Sequence, residues 1–231
     1  MVSAKDTLME YLIHMDAEGS KDHRQADGSD NSFHASTFFM CLRKRWYSRQ
    51  PGVQRNPTDP PLLYRFQGGK NWEEVFAKAF MHKGILIERE VPVRDGEFSG
   101  RVDFVINEPA TDTLGIVELK TVHPFGYDKI QREGMYRHHK AQVMWYYHNM
   151  KKDERWKEVS FMKLVYCSIA DSRCTEFTIP YDEFFIQEVQ ADGAKLMDYY
   201  QHGIAPEPLP KNDWQCKKCE FNGVYCHKNG N

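Results

Sequence analysis

Gly100-Arg101-Val102-Asp103-Phe104-Val105-Ile106, followed after Asn107 to Leu114 by Gly115-Ile116-Val117-Glu118-Leu119-Lys120-Thr121, is the stretch on which the fold turns. Both segments are short and rich in β-branched residues, which suits neighbouring strands. If Asn107 to Leu114 closes an antiparallel hairpin, Ile106 faces Gly115 and Asp103 falls opposite Glu118. Side chains alternate across a strand, so Lys120 shares the face of Glu118 and Arg101 stands opposite Lys120. Val102, Phe104, Ile106, Val117 and Leu119 are expected on the other side, in the core. Charges on otherwise apolar strands are costly unless they pair or hold a metal. Two adjacent carboxylates repel unless a cation lies between them, and Mg²⁺ or Mn²⁺ with oxygen ligands fits. A lattice of surface ion pairs on a half-exposed hairpin is the alternative.

Outward from the hairpin, the spacing predicts a helix carrying Phe38, Phe39, Cys41, Leu42 and Trp46, capped by Ser36 or Thr37 and ending before the Pro51 to Pro61 region. A second helix, Trp72 to His82, is expected to start at an Asn71 cap and stop at Gly84. Ile85 to Val93, Phe98 to Ile106 and Gly115 to Val122 read as consecutive strands. Tyr136 to Lys151 returns to helical periodicity, Val159 to Ser168 and Cys174 to Ile179 form a hairpin around Asp171-Ser172, and Tyr181 to Gln201 is a long helix. This order of helices, strands, helix, strands and helix predicts a mixed α/β sheet flanked by helices. Lys5 to Met15 reads as a short amphipathic helix and Ala17 to Ser32 as a loop. Three parts are expected: an acidic leader over 1–35, a core over 36–204, and a cysteine-bearing module over 205–231 beyond a proline-rich linker.

The 231 residues carry 41% apolar residues and a net charge of −2, a soluble globular composition with enough chain to bury a core without disulfides. There is no run long and apolar enough to span a bilayer and no export signature, so a cytoplasmic, membrane-free protein in a reducing compartment is expected. The charge is unevenly spread: residues 1–35 sum to −4, whereas Cys41 to Lys70 sums to +6. Gly69-Lys70 is followed by Asn71, so there is no Walker A motif.

Near the C-terminus, Cys216-Lys217-Lys218-Cys219 is followed by Cys226 and His227. The C-x-x-C pair places two thiolates within reach of one metal, and a third cysteine strengthens the case. Cys167 and Cys174, in predicted strands, read as inert thiols. His138 and His139 read as surface or phosphate-facing residues, since no third ligand has a suitable spacing.

Asp, a turn, then Glu-x-Lys resembles the active-site hairpin of the PD-(D/E)XK nuclease superfamily, although Val102 stands where its name has proline. Gln142-Val143-Met144-Trp145-Tyr146 is similar to the Q-x-x-x-Y element of its RecB-like branch, and Gly69-Lys70-Asn71-Trp72-Glu73 to that branch's glycine followed four residues later by His or Glu. Cys41, with the basic and aromatic residues after it, resembles the lone N-terminal cysteine of RecB-like iron–sulfur exonucleases such as the CRISPR-associated type. The gap before Cys226 is one residue longer than that pattern.

The resemblance implies a restriction-endonuclease-like core whose C-terminal cysteine module packs against an N-terminal helix. It implies metal held by Asp103, Glu118, the Leu119 carbonyl and Glu73, with Lys120 on the attacking water and Gln142 and Tyr146 positioning substrate or lysine. Cys41, Cys216, Cys219 and Cys226 would ligate one [4Fe-4S] cluster; zinc, held by the last three with His227 or Cys41, is the alternative. The implied activity is Mg²⁺- or Mn²⁺-dependent exonucleolytic hydrolysis of single-stranded DNA or duplex ends, in recombination, repair or CRISPR adaptation. An endonuclease and a non-cleaving DNA-binding adaptor are the rival readings. Arg43, Lys44, Arg45, Arg49, Lys129, Arg132, Arg137 and Lys140 are the candidate DNA contacts, with Trp46 and Tyr47 stacking on unpaired bases; alternatively, Trp46 is core and the arginines are a solvated face. No helicase motor is encoded, so unwinding would need a partner helicase or CRISPR adaptation protein.

Overall fold

The computed structural model describes residues 32–57 and 60–227; the expectations for Lys5 to Met15 and for most of Ala17 to Ser32 lie outside them. Among the described residues, six strands form one mixed sheet: β1 (Phe33–His34), β2 (Leu86–Asp95), β3 (Phe98–Glu108), β4 (Thr113–Val122), β5 (Val159–Ser168) and β6 (Cys174–Ile179), in the order β1-β3-β4-β5-β6 with β2 also on β3. The helices are α1 (Leu42–Ser48), α2 (Pro60–His82), α3 (Pro124–Glu133), α4 (Arg137–Met150) and α5 (Glu183–Gln201). The β3–β4 hairpin has the expected register, with Ile106 opposite Gly115 and Phe104 opposite Val117. β4 and β5 run parallel, Glu118 beside Leu164, which requires the crossover that α3 and α4 provide. Gly115 is needed here because a Cβ would overlap the Phe161 ring of β5.

The described residues fall into two units. One comprises residues 34–39 and 68–193, and the other 32–33, 40–67 and 194–227. In the first unit the sheet is apolar on both faces. Val105, Ile116, Met162, Leu164 and Tyr166 pack with α4 residues Ala141, Met144 and Trp145, whereas Phe104, Ile106, Val117, Leu119, Val165 and Cys167 pack with Ala77, Phe76 and Phe80 of α2. This is the period-two alternation of strands buried on both faces. Val102 departs from expectation: it joins the α4-side cluster with Val91 and Val105 rather than Phe104. The β2–β3 ladder shifts register between Leu86 and Glu88, and Glu90, between the Arg89–Phe104 and Val91–Val102 pairs, adopts φ of 54°.

Three boundaries differ from the sequence reading. α2 begins at Pro60 rather than after Asn71, because a proline in the first turn suits a helix and the Gly68-Gly69 pair costs only about 1 kcal/mol per residue in its interior. α1 starts at Leu42: Phe39 at φ 59° separates it from the 3₁₀ turn Ala35–Thr37, and the Thr37 hydroxyl donates to the His34 carbonyl instead of capping a helix. α3 has no counterpart in the sequence reading, although Pro124 at its start and Gly134 at its end, φ 84°, are ordinary start and stop signals.

Cys167 and Cys174 are not free thiols. They face each other across β5 and β6 with Cα atoms 4.3 Å apart and are joined by a disulfide. The directly opposed register brings them into bonding range.

Candidate active site

The β3–β4 ladder ends at Phe104 and Val117, one pair short of Asp103 and Glu118. There the Leu119 N–H donates to Asp103 Oδ2 at 2.7 Å. The Asp103 carboxylate thus takes the place of a backbone carbonyl where the ladder ends. Lys120 Nζ donates to Glu118 Oε1 at 2.6 Å. From α4, Gln142 Nε2 donates to the same oxygen at 2.8 Å and to the Tyr146 hydroxyl at 3.0 Å. Gln142 and Tyr146 are one helical turn apart, so both reach the end of the ladder from one face.

Glu118 is only 2% exposed, and its second oxygen, Oε2, has no hydrogen-bond partner; neither has Gln142 Oε1. Two buried acceptors left unmatched cost about 1–3 kcal/mol each. Burial, and then the neighbouring Glu118, pushes the Asp103 carboxyl well above the usual range. Burial also raises Glu118, against the opposing pull of Lys120. Burial alone would lower the Lys120 ammonium, but Glu118 and Asp103 together outweigh it and hold the group up. Burial and Glu118 raise the Tyr146 phenol, which stays protonated. A divalent cation fits the pair of carboxylates: it would relieve the repulsion between Asp103 and Glu118 and give the bare Oε2 a partner.

Glu73 of α2 contributes to the electrostatics of Asp103, Glu118 and Lys120, and its own carboxyl is raised by burial and by Glu90. Glu74 turns away to Arg89, at 2.9 Å. Leu119 is buried between the acid and the lysine, with its N–H on Asp103. Arg101, instead of joining Lys120, pairs with Glu90 at 3.2 Å.

The structure also brings in residues that sequence reasoning missed. At Gly100 a Cβ would lie 2.7 Å from Tyr146 Cε1, so only glycine lets β3 pass under that ring. Burial, and then the Lys120 charge, lowers both His138 and His139. His139 hydrogen-bonds the Tyr166 hydroxyl at 2.9 Å, and burial pushes its pKa down to about 2. The adjacent histidines were the available signal, but no spacing rule ties them to Lys120.

In the other unit, Cys41, Cys216, Cys219, Cys226 and His227 line one cavity. Cys216 Sγ lies 3.9 Å from His227 Nε2, and burial, followed by the neighbouring cysteines, raises the Cys216 thiol. Among the described residues, no group of three or more His, Cys, Asp or Glu side chains forms a set able to hold a metal ion. The expected iron–sulfur site is therefore not formed as such, although its four cysteines share a cavity.

The first basic stretch does not form a solvated face. Arg43 donates to the Pro206 carbonyl at 2.7 Å, Lys44 pairs with Glu220 at 3.0 Å, Arg45 is buried, and Arg49 stacks 4.5 Å over Phe33 and 4.6 Å over Tyr200. Tyr47 is buried against Phe221 and Tyr225, and Trp46 donates to the Tyr199 carbonyl. In the second stretch Arg137 pairs with Glu188, Lys140 with Asp182 and Lys129 with Glu133, and Arg132 is exposed.

No protein-family model and no curated protein matches the chain. Among solved structures, the crystal structure of SSO0001 is similar to it with a TM-score of 0.56 at 18% identity, over 94% of this chain and 95% of that one. An alkaline exonuclease, LHK-Exo from Laribacter hongkongensis, has a TM-score of 0.49 at 15% identity over 74% of this chain and 91% of its own. A phage related exonuclease from Haemophilus somnus 129PT has a TM-score of 0.40 at 18% identity, over 59% and 70%. The likeness to SSO0001 is one of fold. No helix among the described residues is long and apolar enough to cross a membrane.

Proposed function

We propose that the chain is a metal-dependent deoxyribonuclease of the PD-(D/E)XK kind, acting as an exonuclease on single-stranded DNA or duplex ends. The observation that carries this reading lies where the β3–β4 ladder ends. The carboxylates of buried Glu118 and half-buried Asp103 face a lysine, and one Glu118 oxygen is bare. Asp103 and Glu118 would hold Mg²⁺ or Mn²⁺ with the Leu119 carbonyl, and Glu73, which shares their electrostatics, would move in to complete the shell. When bound, the ion supplies a Lewis acid for the phosphoryl oxygens and lowers the pKa of a water.

The chain's own groups do the rest. Lys120, held by Glu118, orients the attacking water and offsets charge on the phosphate as it grows. Gln142 fixes Glu118 and Tyr146 in place, leaving Oε1 free to accept from a water. The protonated Tyr146 phenol accepts from Gln142 and keeps its own proton to donate toward the substrate backbone. Lys129, Arg132, Arg137 and Lys140 attract the strand.

The four cysteines sharing one cavity support a [4Fe-4S] ligand set of the RecB-like type, and His227 on the same wall favours zinc as the second reading. Absorbance near 400 nm with iron and sulfide in anaerobically purified protein decides for the cluster; a colourless protein with stoichiometric zinc decides against it.

The test of the activity is cleavage of end-labelled single-stranded, duplex and circular DNA by wild type, Asp103→Ala and Lys120→Ala with Mg²⁺ or Mn²⁺. Metal-dependent loss of label from linear DNA alone, abolished in both variants, is expected. Cutting of circles assigns an endonuclease, and binding without cleavage assigns an adaptor.

A further inference from the structure

Three residues beyond Lys120 the chain leaves β4 and enters α3 through His123-Pro124-Phe125. The His123 ring accepts the Phe125 N–H at 3.4 Å and lies nearly parallel to the Phe125 ring, with centroids 5.3 Å apart and planes at 22°. One face of Phe125 is thus covered, yet the residue remains 80% exposed. The capping bond from the Phe125 backbone N–H holds the His123 ring at the start of α3. α3 buries Tyr127 and Ile130, so helical spacing gathers Phe125, Lys129 and Arg132, at i, i+4 and i+7, on its outer side. The Lys129 ammonium lies 6.0 Å from the centroid of Tyr136, the residue just before α4. Its pair with Glu133, 3.6 Å long and half exposed, is of the weak kind that a phosphate displaces.

An aromatic ring backed on one side and open on the other, followed along a helix by two cations, matches the chemistry of an unpaired strand: a base to stack and phosphates to neutralise. Bases inside a duplex already have both faces occupied. His123 lies at the carboxyl end of a strand parallel to its neighbour, where ligands of open α/β sheets gather. Its Cα is within about 11 Å of the Lys120 Cα by chain length alone. A base on Phe125 and a phosphate at Lys120 can therefore belong to one short strand.

We propose that Phe125, backed by His123, is a stacking platform for single-stranded DNA beside the Asp103–Glu118 site, with Lys129 and Arg132 on adjoining phosphates. This rests on the nuclease reading and narrows its substrate to an unpaired strand.

The experiment is fluorescence anisotropy of oligothymidylate and of a blunt duplex in EDTA, for wild type, Phe125→Ala and Phe125→Trp. Phe125→Ala is expected to weaken single-strand binding by about 5- to 150-fold, the range for loss of one stacked base, and duplex binding by less than about twofold. Phe125→Trp keeps the affinity, and the added tryptophan is quenched by the oligonucleotide. Lys129→Ala lowers the salt slope by about 1, whereas Phe125→Ala leaves it unchanged. Equal single-strand binding by Phe125→Ala and wild type, or equal loss on both substrates, overturns the platform, as does a Phe125→Ala change in oligomer mass without one in binding. Cleavage by Asp103→Ala at the wild-type rate overturns the nuclease reading instead, a result independent of Phe125.

Discussion

Gln142 holds the buried carboxylate of Glu118 through a 2.8 Å hydrogen bond from Nε2, and the same nitrogen reaches the Tyr146 hydroxyl. One amide on α4 therefore positions an acid on β4 and a phenol one turn further along its own helix. Gln142→Leu removes both bonds at nearly constant volume. It is expected to cost about 1–3 kcal/mol in urea denaturation. Metal affinity should fall about 10- to 100-fold, as for other residues that orient a metal ligand, measured by Mn²⁺ titration.

Asp103 and Glu118 repel each other, so Asp103→Asn should raise the melting temperature of metal-free protein while its side-chain oxygen still accepts the Leu119 N–H. In wild type, Mn²⁺ at about a hundredfold its Kd should stabilise the fold by about 2.7 kcal/mol. Thermal melts with and without metal check both: the variant should melt higher without metal and gain little from it.

Gly100→Ala places a methyl group against the Tyr146 ring, which is buried and held by Gln142. The expected cost is about 1–3 kcal/mol, the range for overpacking. The hydroxyl is among the atoms approached, so the Gly100→Ala, Tyr146→Phe double variant should recover part of the loss. Urea midpoints of the four proteins give the coupling.

The Cys167–Cys174 disulfide predicts four titratable thiols, not six, in protein denatured without reductant. The bridge closes a loop with a sequence separation of 7, for which loop entropy gives about 2–3 kcal/mol of stabilisation. Thiol titration with and without reductant, and a urea midpoint for Cys174→Ser, check the two statements.

His139 is held neutral with a pKa of about 2 against an ordinary 6.5. Between those values the unfolded chain binds the proton and the folded chain does not, so stability is complete above about pH 6.5 and is lost as pH falls. Between about pH 7 and about pH 5 the histidine should remove about 2 kcal/mol. His139→Gln should flatten that part of the stability profile, as read from urea midpoints at each pH.

The local elements were legible because they depend on spacing alone. β5 and β6 have the bounds that alternation and the Asp171-Ser172 turn implied, and the hairpin register followed from the turn between Ile106 and Gly115. The early start of α2 and the existence of α3 were harder to read, because glycines inside the first and polar residues along the second weaken the periodicity on which such readings rest.

Sequence by itself determined which residues alternate to which face of β3 and β4 around Ile106 and Gly115, and that Gln142 and Tyr146 share a helix face. Both follow from the fixed periods of strand and helix. Only the tertiary structure decided that the ladder ends one pair short of Asp103, that Gly100 yields to Tyr146, that Cys167 meets Cys174, and that Arg43, Lys44, Arg45 and Arg49 serve internal contacts. Those facts depend on which distant segments pack together, and distances between segments far apart along the chain are set by the whole core rather than by any local pattern.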